Sequence, residues 1–453
     1  MRQLGTLAEA DVVVVGGGPA GLCAAVEAVR AGASVTVIES LDRLGGNGPL
    51  SGGYLALVGS DMQRVAGVED STERFLEDMR REMKPYRRQF ATMFDERLAR
   101  QFVAGSPDAF LFLIDLGFTF DRIIDRPGIH SVPRLVALAD PQQFRNVFSA
   151  TLDELGVVVR HRTFAERLHL VDGRIDGVVV CSEETDRGVV RAGKGVVIAA
   201  GGFQAGQELR RRYQPEHLAR TPALGIDTCT GQGHLMGQSM GADLINMPYI
   251  QSLVIVGSAL LEDAIAVNVR GARFHDEMGP VSARLRALGE QPNARGFYVF
   301  DNRVMTRKPG LVSGLTESPV AADTLGELAG LVECDPAGLA RAVAEWNELL
   351  GSSTRNDPFG RTIFTEGSPG IVEPPFRAAR MVPGAMLTAG GFQVDERMRV
   401  LDVYGDVIAH LFGAGDCVGG ILPPHQVGGV HLGSAVVFGR IAGAAAASGG
   451  DAG

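Results

Sequence analysis

The stretch Asp11-Val12-Val13-Val14-Val15-Gly16-Gly17-Gly18-Pro19-Ala20-Gly21 decides the fold. A run of β-branched valines stopped by glycines reads as a buried parallel strand. Residues 20–31 are alanine-rich and read as a helix, and Val35–Ile38 reads as a second strand, making one βαβ unit. The glycines between fit G-x-G-x-x-G where that pattern carries meaning, after a strand and opening a helix. Gly16 permits the tight turn, Gly18 lets a pyrophosphate approach the backbone, and Gly21 lets the helix close on the sheet. Pro19 and Ala20 lie in the first turn, whose N–H groups face the phosphates. Glu39, followed by Ser40, ends the second strand. Its carboxylate can accept hydrogen bonds from ribose hydroxyls, and its charge rejects a 2′-phosphate.

The other end of the chain chooses between dinucleotides. Leu411-Phe412-Gly413-Ala414-Gly415-Asp416 reads as an apolar strand ending in an acid after Gly-x-Gly. In FAD enzymes of the glutathione-reductase-like type, such an acid meets the flavin ribityl chain or the pyrophosphate. Asp416 can equally cap the next helix, and both readings stay open. Gly433-Ser434-Ala435 opens an apolar helix that continues from Val436 to Ala447. The positive end of that helix would favour an anionic reduced flavin.

Bulk properties narrow the class. A length of 453 residues suggests two domains, or one large domain with an insertion. A net charge of -10 argues against nucleic acid, which needs clustered Lys and Arg. The five cysteines are scattered without a C-x-x-C, so disulfide, zinc and c-type haem frameworks are not expected. The start shows no secretory pattern, and no apolar run is read as long enough to span a bilayer. The expectation is a cytoplasmic protein with no membrane, nucleic-acid or metal partner. Residues 71–84 and 92–116 read as helices, Val157–Val159, Val178–Val180 and Val196–Ile198 as strands, and Arg210-Arg211-Arg212 as a solvated helix face.

With these segments placed, the chain resembles the fumarate reductase and succinate dehydrogenase flavoprotein superfamily. Within it, the branch of flavocytochrome-type fumarate reductases and 3-oxosteroid 1-dehydrogenases is nearest. The resemblance is carried by Gly16–Gly21 with Glu39; by Gly45-Gly46-Asn47 followed by Ser51-Gly52-Gly53; and by Ala199-Ala200-Gly201-Gly202-Phe203. It continues through Gly271-Ala272-Arg273-Phe274 with Asp276-Glu277, Asn356-Asp357-Pro358-Phe359-Gly360-Arg361, Thr388-Ala389-Gly390-Gly391 and Val437-Phe438-Gly439-Arg440. It implies an α/β fold: a Rossmann-type FAD-binding domain from residues 1–240 and 361–453, and an inserted α+β capping domain at 241–360. It adds Ala165 to the FAD-binding set. The implied chemistry is hydride transfer between flavin N5 and a carbon next to an activating group, exchanged with a diffusing electron donor or acceptor. Respiratory members link FAD to a histidine before the Gly-Gly pair. No histidine lies near Gly46, so non-covalent FAD is expected.

Fumarate reductases hold their dicarboxylate with two histidines and two arginines. By flanking motif these positions are Leu253, Val281, Leu387 and Gln426, and none is charged. A site without paired arginines does not repay the desolvation of two carboxylates, so an uncharged, largely apolar substrate is expected. The 3-oxosteroid 1-dehydrogenases polarise a ketone with a tyrosine and a glycine N–H four residues later, which fall here at His425 and Gly429. Their second tyrosine falls at Val281. His425, Gly429 and Tyr249 are the catalytic candidates. Tyr54, His130, Arg134, Leu253, Leu387 and Gln426 are the substrate-side candidates. For Arg273, before Asp276-Glu277, a structural ion-pair network is the stronger reading. The leading functional expectation is an FAD-dependent dehydrogenase or ene-reductase of an apolar, cyclic or extended ketone. Its alternatives are a flavin dehydrogenase of a small carboxylic acid, using Arg134 or Arg273, and a non-catalytic flavin redox partner.

Overall fold

The computed structural model describes residues 4–90, 92–125, 130–182, 187–214, 222–254, 261–279, 281–307, 318–421 and 428–449. His425 and Gln426 lie outside these residues, and for Leu253 and Val281 only the backbone is described.

Chain contacts divide the protein into two compact units, Met1–Gln251 with Leu387–Gly453, and Ser252–Met386. The boundaries expected near 240 and 360 fall elsewhere for a physical reason. Leu244–Ile245 pairs with Gly391–Phe392, which ties it to the first unit. Phe376–Arg380 pairs with both Gly296–Phe300 and Val320–Ala322, which ties it to the second.

The first unit is built on a sheet in the order Arg399–Leu401, Val407–Gly413, Gly188–Ile198, Thr6–Val15, Val35–Ile38, Val158–Arg160. Every neighbouring pair is parallel except the first. The valine run Val12–Val15 is buried at its centre, as an uninterrupted apolar strand covered on both faces should be. The strand begins earlier, at Thr6, because Thr6–Ala10 extends the pairing along Val189–Ala192. Thr163–Val171 and Arg174–Ser182 form a hairpin laid antiparallel on Gly188–Ile198.

Helix Pro19–Arg30 follows the first strand and packs on the C-terminal helix Val430–Ala447 through small residues. A Cβ on Gly439 would lie 2.3 Å from Ala20 O, so a side chain there would push the helices apart. The C-terminal helix corrects one expectation: by length and composition it is apolar enough to cross a bilayer. It is 67% buried within the protein, against helix Pro19–Arg30 and other elements of its unit, as the core helix of a folded domain is. The basic run is also not uniformly solvated. Arg210 is buried and donates to Gln204 O and Gln214 Oε1, whereas Arg211 and Arg212 reach Gln207 and Glu208 at the surface.

The second unit is α+β. Its antiparallel sheet runs Ile265–Asn268, Gly296–Phe300, Phe376–Arg380, Val320–Ala322. Ile265, Val267, Phe297 and Val299 pack one face against Leu328 and Trp346 of helices Leu325–Val332 and Pro336–Gly351. Ala266, Tyr298 and Phe300 pack the other face with Leu288 of helix Val281–Gly289. The alternation of faces along each strand is what a sheet covered on both sides requires.

Candidate functional site

The turn after the first strand separates glycines that the protein needs from one that a ligand needs. Gly16 has φ +105°, and a Cβ there would lie 2.3 Å from Ala199 O; one on Gly21 would lie 2.0 Å from Gly16 O. The fold itself imposes both. Gly18 differs, because its φ of -83° and ψ of 178° suit any residue. A Cβ there would meet only Gly46 Cα, at 4.0 Å. The space beside Gly18 opens between the N-terminus of helix Pro19–Arg30 and the Gly45-Gly46 turn, which Gly45 N–H ties to Gly17 O at 2.8 Å. Among the described residues no side chain caps that helix, so its first-turn N–H groups are left for another acceptor. This cradle fits the pyrophosphate of a dinucleotide.

Glu39 is buried. One carboxylate oxygen accepts from Gly17 N–H at 2.7 Å; the other accepts from Leu41 N–H at 2.7 Å and the Ser40 hydroxyl at 3.2 Å. A carboxylate offers about four acceptor sites, so the acid anchors the turn and keeps room for a ribose hydroxyl. Asn47 is engaged by the protein: Oδ1 accepts from Ile226 N–H at 2.9 Å, and Nδ2 lies 3.5 Å from Cys229 Sγ. Ser51 donates to Gly48 O at 2.6 Å and accepts from Gly53 N–H at 3.1 Å, which shapes the Gly52-Gly53 turn before buried Tyr54. Ala165 is buried in its hairpin opposite Val180. Ala200 and Gly201 follow the central strand, and Cys417 Sγ donates to Gly201 O at 3.2 Å. That bond joins their turn to the Asp416 turn.

The far end differs from expectation in its helix start. Helix Val430–Ala447 begins three residues before Gly433, with Gly429 as its N-cap at φ +81°. Gly429 O accepts from Gly433 N–H and from Ala56 N–H, both at 3.0 Å, so the cap is locked to the strand Tyr54–Ala56. Gly433, Ser434, Ala435 and Val436 are therefore buried inside the helix rather than at its end. The end able to face a flavin is Gly429–His431. Asp416 is not that helix's cap. It sits in the turn Gly415–Cys417, with Oδ1 3.4 Å from His431 Nδ1. Sequence reasoning missed His431. Its signal was a polar residue two positions past Gly428-Gly429, at the start of a largely apolar helix.

The substrate-side candidates separate. Arg134 is fully buried and its charge is consumed: Nε and Nη2 donate to Asp70 at 3.0 and 2.8 Å, and Nη1 to Asp78 at 2.7 Å. Its guanidinium lies 4.3 Å from the centre of the Phe75 ring. Arg134 is thus a core ion pair rather than a substrate ligand, because both partner carboxylates come from its own unit. His130 is buried beside it, with Nε2 3.1 Å from Gly428 O at the entrance to the C-terminal helix. Tyr249 is half-buried, its N–H bonded to Asn246 O and its carbonyl to Ala389 N–H. Leu387 is half-buried on strand Pro383–Thr388, which pairs with Ile250–Val254, the strand that carries Leu253.

In the second unit, Arg273 pairs bidentately with Glu277 at 2.8 and 2.7 Å and also bonds Asp357. Buried Arg361 reaches the same Glu277 at 2.8 Å and donates to the carbonyls of Leu261, Glu262 and Ala264. Burial opposes ionisation of Glu277, but the two arginines hold its carboxyl down at about 2. The network expected for Arg273 is present.

Comparison with known proteins agrees with this geometry. Residues 11–432 match the FAD binding domain family. A probable fumarate reductase of Shewanella frigidimarina is 30% identical over 96% of this chain and 74% of its own length. Urocanate reductase of Eggerthella lenta is 29% identical over 98% of this chain and 75% of its own. The open conformation of a flavocytochrome fumarate reductase superposes with a TM-score of 0.76 at 28% identity, covering 98% of this chain and 79% of the other. A 3-ketosteroid delta4-(5alpha)-dehydrogenase of Rhodococcus jostii superposes with a TM-score of 0.67 at 26% identity, covering 99% of this chain and 100% of the other. The chain belongs to the FAD binding domain family, within the fumarate reductase and succinate dehydrogenase flavoprotein superfamily, and is an FAD-dependent oxidoreductase acting on carbon–carbon bonds.

Proposed function

We propose that the protein interconverts a C–C single bond and a C=C double bond next to the carbonyl of a largely apolar, cyclic or extended ketone, with FAD held non-covalently. The observation that carries this reading is the fate of Arg134 and Arg273. Each is neutralised by two carboxylates of its own unit, so neither is left to clamp a carboxylate substrate in place of the arginines missing at Val281 and Gln426. Breaking either network to free its arginine would leave buried acids unpaired, at a cost of several kcal/mol.

When bound, FAD supplies hydride transfer to or from carbon. The chain's own residues bind and orient it. The Gly16–Gly21 turn and helix N-terminus take the pyrophosphate, Glu39 the adenosine ribose, and Asp416 with His431 lines the other end of the cradle. The Gly429 end of the C-terminal helix adds positive potential where reduction adds negative charge. Electrons are exchanged with a diffusing donor or acceptor. Flavin release separates the attachment modes: trichloroacetic acid should leave a colourless pellet and a yellow supernatant, and a coloured pellet would show a covalent bond. Turnover with cyclic enones under a chemical reductant tests the substrate class, with fumarate and urocanate as counter-tests. Preferential turnover of the two acids would replace the ketone reading by the carboxylic-acid one.

A further inference from the structure

Arg284 stands apart from the ion-paired arginines of the second unit. Arg273 and Arg361 share Glu277, and Arg273 adds Asp357. Arg284, on helix Val281–Gly289, is 5% exposed, and among the described residues no Asp or Glu lies within ion-pair distance of it. Its Nε has no hydrogen-bond partner. Among the described residues Nε2 of His275, which is 7% exposed, likewise has none, and the hydroxyl of fully buried Tyr298 has no partner at full hydrogen-bond distance beyond the Arg284 guanidinium that faces it. These atoms belong to one place. The His275 and Tyr298 rings meet edge-on with centres 6.3 Å apart, and the Arg284 guanidinium lies beside the Tyr298 hydroxyl and within electrostatic reach of His275. Tyr298 is flanked in register by Ala266 and Ala379, so neither neighbouring strand sets a large side chain beside it.

A buried polar atom without a partner is costly, and a buried charge more so. The chemistry of the three atoms defines what would satisfy them. Arg284 Nε–H only donates. His275 Nδ1 is 2.8 Å from the Asp276 carbonyl, so Nδ1 carries the proton and Nε2 is left as an acceptor. The Tyr298 hydroxyl does either. A partner for all three carries a negative oxygen and a hydroxyl.

We propose that Arg284, Tyr298 and His275 form a site for a small oxyanion bearing a hydroxyl group, a hydroxycarboxylate or a hydrogen carbonate. The negative oxygen accepts from Arg284 and Tyr298, and the ligand hydroxyl donates to His275 Nε2. The site goes beyond the ketone reading, which requires no anion.

The test is calorimetric melting of the FAD-loaded protein in glycolate, in propionate as a carboxylate without the hydroxyl, and in chloride, all at equal ionic strength. Glycolate should raise Tm saturably, propionate less, and chloride not at all. Arg284→Met should abolish the response and raise the Tm measured without anion, because it removes an unpaired buried charge. Tyr298→Phe should weaken glycolate binding ~2- to 10-fold, which keeps the test decisive if Arg284→Met does not fold. A wild-type protein with no anion response, or an Arg284→Met variant that keeps the full response, overturns the site and leaves a buried water as its occupant. Adding glycolate during enone turnover finds what the bound anion does. Inhibition makes it a ligand that acts on turnover, and unchanged turnover makes it a stabilising ligand alone; either result keeps the site. Loss of enone turnover with an intact glycolate response would sink the ketone reading alone.

Discussion

Replacing Gly18 with valine puts a branched side chain into space that the protein itself leaves open. The backbone there, φ -83° and ψ 178°, suits a β-branched residue, and the nearest atom to the added Cβ is Gly46 Cα at 4.0 Å. The cost to the apoprotein should stay within about 0.5 kcal/mol, as for substitutions that strain nothing. The dinucleotide fares differently, because its phosphates need the backbone that the valine covers. Losing two N–H bonds to charged phosphate oxygens at ~1.5–3 kcal/mol each weakens FAD binding ~10²- to 10⁴-fold, at about 1.4 kcal/mol per decade. Gly21→Ala is the contrasting control, since its Cβ would lie 2.0 Å from Gly16 O and must unseat the helix. Circular dichroism melting of the apoproteins and quenching of flavin fluorescence on titration read the two effects separately. Gly18→Val should melt like wild type and bind FAD weakly, whereas Gly21→Ala should lose the fold. A Gly18→Val protein with wild-type FAD affinity would falsify the placement of the phosphates.

Two further predictions concern groups that the chemistry does not use. His234 is buried between the rings of Phe203 and Phe392, and burial pushes its pKa down to about 4 from the ordinary 6.5. Below pH 6.5 the unfolded chain takes a proton that the folded chain refuses until about pH 4, so this group's effect is absent above 6.5 and destabilising below it. The loss should be on the order of 2 kcal/mol between pH 6.5 and 5, read as a falling urea midpoint that His234→Leu makes less steep; an unchanged pH slope in that variant would contradict it. Arg134→Met strands Asp70 and Asp78, each 2% exposed, and should cost ~3–5 kcal/mol in stability while FAD stoichiometry and substrate KM hold. A raised KM without loss of stability would return Arg134 to the substrate site.

The nucleotide end was legible because its requirements are local. A valine run, a glycine turn and an acid closing the second strand act within one βαβ unit, and the structure puts Val12–Val15, Gly16–Gly21 and Glu39 in those roles. The start of the C-terminal helix was not legible, since Gly429 is fixed as its cap by Ala56, a residue distant in sequence. Domain limits were missed for the same reason: Leu244–Ile245 and Phe376–Arg380 are assigned by the strands they pair with. Arginines show the limit most clearly. Sequence cannot tell Arg134, neutralised by Asp70 and Asp78, from Arg284, which has no acid within ion-pair distance among the described residues. That distinction is made by tertiary neighbours, and it decides which cation is available to a ligand.

We propose a flavoenzyme of the fumarate reductase type whose substrate is an uncharged ketone. Its most direct measurement is anaerobic stopped-flow reoxidation of the reduced FAD-loaded protein by a cyclic enone and by fumarate at equal concentration. Without arginine at Val281 and Gln426, and with Arg134 and Arg273 neutralised, fumarate lacks at least two charged hydrogen bonds. The enone should therefore reoxidise the flavin ~10²-fold faster or more. Fumarate reoxidising it as fast as the enone would contradict the account.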